Sequence, residues 1–192
     1  MTKKDAILKA ATELFMKKGY DGTSTAEIAE RAGVAHGTIF HHFGKKERLL
    51  QHLCEETVKE LLDALTGVDL EGLSGLDALD KVLRRTLHFI DMHWKNICVV
   101  MHEMPHTFGP DYWTHTSEPA PANMQQIYDL RRSLMERGIA DGSIRKCNVE
   151  ATVYMVECFF AGIIHTKMKG FLETPDNVID EAMMMFRRSI EA

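Results

Sequence analysis

Ser24-Thr25-Ala26-Glu27-Ile28-Ala29-Glu30-Arg31-Ala32-Gly33-Val34-Ala35-His36-Gly37-Thr38-Ile39-Phe40-His41-His42-Phe43-Gly44 is the stretch on which the fold turns. Ser24 followed three residues later by Glu27 is a capping box, so a helix begins here. Gly33 ends it after about two turns. A second short helix fits His36 to His42, with Gly44 as its stop. A turn of about three residues headed by glycine is the helix-turn-helix connection, because glycine supplies the left-handed backbone that lets the second helix cross the first. Ile28, Ala29, Ala32, Val34, Ile39 and Phe43 can then pack inside the unit. Ala29 and Ala32 are small where the helices approach. The remaining face carries Gly37, Thr38, His41 and His42, small or polar groups able to reach base edges or phosphate oxygens.

The flanks fit the same reading. Ile7, Leu8, Ala11, Leu14 and Phe15 recur at three and four residues, which predicts an amphipathic helix from about Lys3 to Lys18. Thr2 and Asp5 suit its capping box and Gly19 its end. Thr25 sits at a helix N-terminus, where hydroxyl, backbone N–H and helix dipole all favour a phosphate. Lys45 and Lys46 follow the second short helix and suit backbone phosphates. A fourth helix starts near Lys45 and runs towards Leu65.

Phe15-x-x-x-Gly19-Tyr20-x-x-Thr23-Ser24, Ile28-Ala29-x-x-Ala32-Gly33-Val34, Gly37-Thr38-Ile39-Phe40-x-His42-Phe43 and Lys46-Glu47-x-Leu49 together resemble the DNA-binding domain of the TetR family, without a gap over about fifty residues. The resemblance implies a homodimeric transcription regulator, usually a repressor, that a small molecule releases from a palindromic double-stranded operator. It also implies a DNA-facing set of Thr25, His36, Gly37, Thr38, Phe40, His41, His42 and Lys46, to which Lys45 is added for its place just past the second short helix. Phe40 and His41 stand where tyrosines are frequent in the family, which alters the operator sequence to be expected.

Charge agrees with a split molecule. The whole chain carries 23 Lys+Arg and 28 Asp+Glu, a net of -5. Residues 1–50 carry nine Lys+Arg against six Asp+Glu, a net of +3, and residues 51–192 fourteen against twenty-two, a net of -8. A basic head on an acidic body remains compatible with DNA binding. The sequence therefore divides into a DNA-binding domain at 1–47 and a ligand-binding and dimerisation domain at 48–192.

The rest of the chain is also helical by period, giving an all-α protein of about nine helices. Thr66 to Gly75 is a loop by composition. Helical period resumes at Leu76 and continues to His102. Pro105, Pro110, Pro119 and Pro121 predict that 105 to 122 is irregular or only briefly helical. Further helices fit Asn123–Arg137, Val149–Lys169 and a last segment from Pro175 to about Ser189. The apolar run from Ala151 to Ile164 is short of the ~20 residues that span a bilayer. No secretory signal follows Lys3 and Lys4, and four scattered cysteines read as reduced thiols. The expectation is a cytoplasmic protein with no membrane partner and no cofactor.

Two stripes on the last helices are expected to form the dimer: Thr152, Val156, Phe160 and Ile163 on one, Ile179, Met183 and Phe186 on the other. Trp94, Met101, Glu103, Met104, Phe108, Trp113, Tyr128, Met155, Glu157 and Phe159 mix aromatics, methionines and two carboxylates as an adaptable ligand pocket would. Glu157 stands out, since it interrupts an apolar run and needs a partner. His102-Glu103-Met104-Pro105-His106 spells the zinc-peptidase pattern, but Pro105 disturbs the helix it needs. No catalytic residue and no metal ligand is assigned, and the protein is expected not to be an enzyme. The alternatives are a regulator that senses metal through His88, His93, His102, His106, His115 and His165, or a metal-dependent hydrolase on the same segment.

Overall fold

A computed structural model describes the backbone of residues 2–108, 119–170 and 176–192, and the side chains of 2–103, 120–170 and 177–192. Among them are nine helices: α1 (Lys3–Lys18), α2 (Thr25–Ala32), α3 (His36–Phe43), α4 (Lys46–Thr66), α5 (Gly75–Met92), α6 (Trp94–Phe108), α7 (Pro119–Asp141), α8 (Val149–Lys169) and α9 (Asp176–Ile190). The described residues form no strand, only an isolated bridge between Ile144 and Glu191. The class is all-α, as the periodicity predicts.

The chain folds as two compact units. One comprises Met1–Glu60 and Ile90–Asn123, the other Leu61–Phe89 and Met124–Ala192. Each has its own core. Ile7, Phe15, Ile28, Ile39, Leu49 and Leu50 are fully buried in the first, and Leu65, Leu79, Leu83, Ile127 and Met135 in the second.

Both expected capping boxes form. Asp5 N–H donates to Thr2 Oγ1 at 3.2 Å and Thr2 N–H donates back to Asp5 Oδ2 at 2.7 Å. Ser24 and Glu27 repeat the pattern at the start of α2, at 3.2 and 3.0 Å. Each box satisfies N–H groups that a helix start leaves without an intrahelical partner.

Brief helix occupies both ends of the proline-bearing stretch. The helical backbone of α6 continues through Pro105 to Phe108, and α7 already begins at Pro119. Pro119 and Pro121 fall in the first turn of α7, where a missing N–H costs nothing. The helix also runs beyond Arg137, where the periodicity ends it, through Gly138 to Asp141. Gly138 is there for space. A Cβ on Gly75 would lie 2.1 Å from Gly138 N, and one on Gly138 would lie 2.4 Å from Ile144 Cδ1. Asp141 fastens the same corner, accepting from Gly75 N–H at 2.7 Å and Ser143 N–H at 2.9 Å.

Helix α8 is long and apolar enough by length and composition to cross a membrane, with 28% of its most apolar window buried. The complete 21-residue helix meets the length that the shorter apolar run within it does not.

Candidate nucleic-acid interface

The turn between α2 and α3 is built as the sequence requires. Gly33 sits at φ 67°, in the left-handed region. Its N–H donates to Glu30 O at 3.1 Å, and Val34 N–H reaches back to Ala29 O at 3.0 Å. These bonds close the end of α2 and set the entry to α3. Ile39 and Phe43 point inward and are buried, and Ile28 and Ala29 are buried on α2. His36, Gly37, Phe40, His41 and His42 are consequently exposed on α3, with Thr38 half-buried.

Ala35, the cap of α3, makes no side-chain capping bond. The first N–H groups of a helix are natural donors to an anion. His36 is fixed there: its Nε2 lies 2.9 Å from Thr25 Oγ1. Its ring meets Phe40 edge-on with centroids 5.0 Å apart. The Thr25–His36 bond ties the starts of the two helices together. Phe40 is half-exposed on the same face, a large apolar group suited to a thymine methyl.

The two adjacent lysines differ. Lys45 is exposed. Lys46 turns inward, its ammonium donating to Tyr20 O at 2.8 Å and Thr23 O at 3.0 Å and lying 4.1 Å from the Tyr20 ring centroid. The DNA-facing set therefore loses most of the capacity of Lys46, which instead pins the turn between α1 and α2. Burial pushes the Tyr20 hydroxyl up to about 12, with the negative charge of Glu47 adding to it.

Other basic groups of the head are tied down by acids. Arg31 Nε donates to Glu13 at 2.7 Å, and Lys18 pairs with Glu27. The Lys18 ammonium and the Ser24 N–H hold the Glu27 carboxyl at about 2. Arg48, with its side chain 62% exposed and its Nη1 4.0 Å from Glu55 Oε1, escapes the sequence reading. It lies three residues from Lys45 at the start of α4 and donates to Gln51 at 2.6 Å. Its position i+3 from Lys45 was the available signal.

The residues read as a ligand pocket divide between the units. Trp94, Met101 and Glu103 belong to the first, and Tyr128, Met155, Glu157 and Phe159 to the second. Met101 and Met155 are exposed. Trp113 lies outside the described residues, as do the side chains of Met104 and Phe108. Glu103 is buried where α6 packs on α1, its Oε1 3.8 Å from where a Cβ on Gly19 would sit. Glu157 has the partner its position demanded, Arg131 of α7.

The residues expected to form the dimer stripes differ in exposure. Thr152, Val156, Phe160 and Met183 are buried within the single chain, with Ile163, Ile179 and Phe186 half-buried. The outward face of α8 is Ala151, Tyr154, Met155, Cys158, Gly162 and His165. Because α8 is apolar nearly all round, hydropathy alone does not say which side faces in.

In the segment 102–106, His102 is exposed and its Nδ1 lies 3.2 Å from Glu103 Oε1. The side chain of His106 lies outside the described residues. Among the described residues no three His, Cys, Asp or Glu side chains converge as metal ligands would.

Two packed helices that present an uncapped helix start, imidazoles and a lysine on one exposed face make a helix-turn-helix head built for duplex DNA. Residues 7–53 match the family of bacterial regulatory proteins, tetR family. The HTH-type transcriptional repressor KstR2 of Rhodococcus jostii is 24% identical over 139 residues, covering 72% of this chain and 66% of that protein. The HTH-type transcriptional repressor Rv3405c of Mycobacterium tuberculosis is 40% identical over 86 residues, 43% of this chain and 45% of that one. The solved structure of the fatty acid degradation regulator FadR from Bacillus halodurans superposes with a TM-score of 0.79 at 19% identity, covering 97% and 95% of the two chains. The match over residues 7–53 is to that family's N-terminal head, and the whole chain shares the all-α fold of the solved regulator.

Proposed function

We propose that this chain is a dimeric, cytoplasmic transcriptional repressor that leaves a palindromic operator when a small molecule binds. Residues 1–47 read DNA, and residues 48–192 sense the effector and dimerise. The observation that carries this reading is the exposed α3 face of His36, Gly37, Phe40 and His41, held by the buried Ile39 and Phe43. Half-sites one helical turn of DNA apart, or a multiple of it, require two such faces.

The second copy docks on the outward faces of α8 and α9. Tyr154, Met155 and Met185 are 67%, 61% and 69% exposed, and Val178 and Met184 extend the apolar surface. So large an apolar surface on a water-soluble chain calls for a cover. The effector acts through its preference for one of two head spacings, and its effect is bounded by that difference in affinity. Segment 90–123, which lies beyond the reading domain in sequence, shares a compact unit with α1, and α6 packs on α1 there. It supplies a physical route from sensing to reading.

The test is selection of DNA from a random pool, followed by a gel shift on the selected site and on the DNA flanking the protein's own gene. An enriched palindrome bound by a dimer is the expected outcome. Enrichment of no sequence, with binding equal on any duplex, would refute it.

A further inference from the structure

Arg131 is the one lysine or arginine buried among the described residues, its side chain 3% exposed. It lies mid-way along α7 in the second unit. Its Nη1 pairs with Glu157 of α8, and its Nη2 donates to Thr86 Oγ1 of α5 at 3.2 Å. The Thr86 hydroxyl is itself spent on Val82 O at 3.0 Å. Phe160 of α8 covers the guanidinium, with its ring centroid 4.9 Å away. Arg131 Nε is buried with no acceptor.

A buried donor without an acceptor carries a desolvation cost that a bound acceptor would remove. A buried guanidinium is stable when its planar donor fork is filled. Here one donor of the fork is unfilled. The counter-ion is also asymmetric: the Glu157 side chain is 33% exposed while Arg131 is sealed. Glu157 can therefore return to water at small cost, whereas Arg131 cannot. Nε and its neighbouring N–H form the geometry that a planar carboxylate fills with two parallel bonds. The Phe160 ring gives the position an apolar wall.

We propose that Arg131 anchors the carboxylate of an organic effector with an apolar body, and that Glu157 is the resident counter-ion the effector displaces. The proposal rests on the reading of the chain as effector-responsive. It makes Arg131, Thr86 and Phe160 the recognition set, drawn from three helices of one unit. An incoming carboxylate takes the Nε side, and Glu157, sharing one guanidinium with a second anion, swings outward.

The experiment is a thermal-shift and calorimetric titration of the full chain with straight-chain carboxylates from butyrate to decanoate and with aryl carboxylates, each beside its alcohol. The expected result is a saturable rise in Tm for carboxylates over alcohols, lost in Arg131→Gln. Glu157→Gln removes the competing anion and tightens carboxylate binding about tenfold. This second variant keeps the cation and stands as the test if Arg131→Gln fails to fold. No carboxylate preference across the panel, equal binding in a folded Arg131→Gln, or weaker binding in Glu157→Gln overturns the proposal. Binding of the selected DNA by the unliganded wild type is measured alongside. If that persists while the carboxylates fail, the ligand assignment falls and the regulator reading stands.

Discussion

Lys45 and Lys46 are neighbours in sequence, yet the structure gives them separable jobs. Lys46 donates two hydrogen bonds from a charged group to backbone carbonyls and lies over the Tyr20 ring. Charged hydrogen bonds contribute roughly 1.5–3 kcal/mol each, and half-burial places these at the low end. Partial recovery of the freed carbonyls by water brings the loss in Lys46→Met to about 3 kcal/mol. At roughly 2–4 °C per kcal/mol for a chain of this size, Tm falls by about 6–12 °C. Lys45 is exposed, and Lys45→Met should shift stability by no more than about 0.5 kcal/mol. Its effect belongs to DNA. Each phosphate contact contributes about 0.9 to the slope of log affinity against log salt. A dimer losing one contact per head should have a slope shallower by about 1.8. Circular-dichroism melts and fluorescence anisotropy across a salt series measure both quantities. A Lys45→Met protein that melts early, or a Lys46→Met protein that melts normally and alone loses salt dependence, would refute the assignment.

Three further outcomes follow from the geometry. The folded Glu27 carboxyl is held at about 2 against an ordinary 4.5, so its contribution is present above about 4.5 and lost as pH falls through 2. The melting difference between wild type and Glu27→Gln should accordingly shrink between pH 6 and pH 3, and a constant difference would contradict the pairing. Gly75→Ala forces a Cβ to within 2.1 Å of Gly138 N, where backbone must move. It should cost about 3 kcal/mol in urea unfolding, and a wild-type midpoint would show the contact to be misplaced. Tyr154→Glu combined with Met185→Glu puts charge on the outward faces of α8 and α9, and light scattering should then find monomers. Persistence of a dimer would move the interface elsewhere.

The fold was largely legible because its punctuation is local. Thr2–Asp5 and Ser24–Glu27 announce helix starts, and Gly33 and Gly44 announce stops, without any tertiary information. The start of α7 was read four residues late, at Asn123, because position within a turn matters more than residue type. Pro119 and Pro121 sit in the first turn of α7 and so do not break it. The exposed face of α3 was legible because its inward positions, Ile39 and Phe43, fix the outward ones. Lys46 was not, because nothing in Lys45-Lys46 says which ammonium will find the carbonyls of the α1–α2 turn. Which side of α8 faces outward was not legible, because apolar residues surround the helix. Glu157 was recognised as needing a partner, but Arg131, 26 residues away on α7, is identified only by tertiary packing.

Gly37 offers the most direct test of the central claim that the exposed face of α3 reads DNA. A Cβ there meets nothing within 4 Å, so a larger side chain can be carried without disturbing the head. Gly37→Glu places a carboxylate on that face. Anisotropy titration of the selected site should show affinity reduced by at least ~100-fold, with an unchanged melt. Undiminished affinity for that site would mean that DNA is read elsewhere.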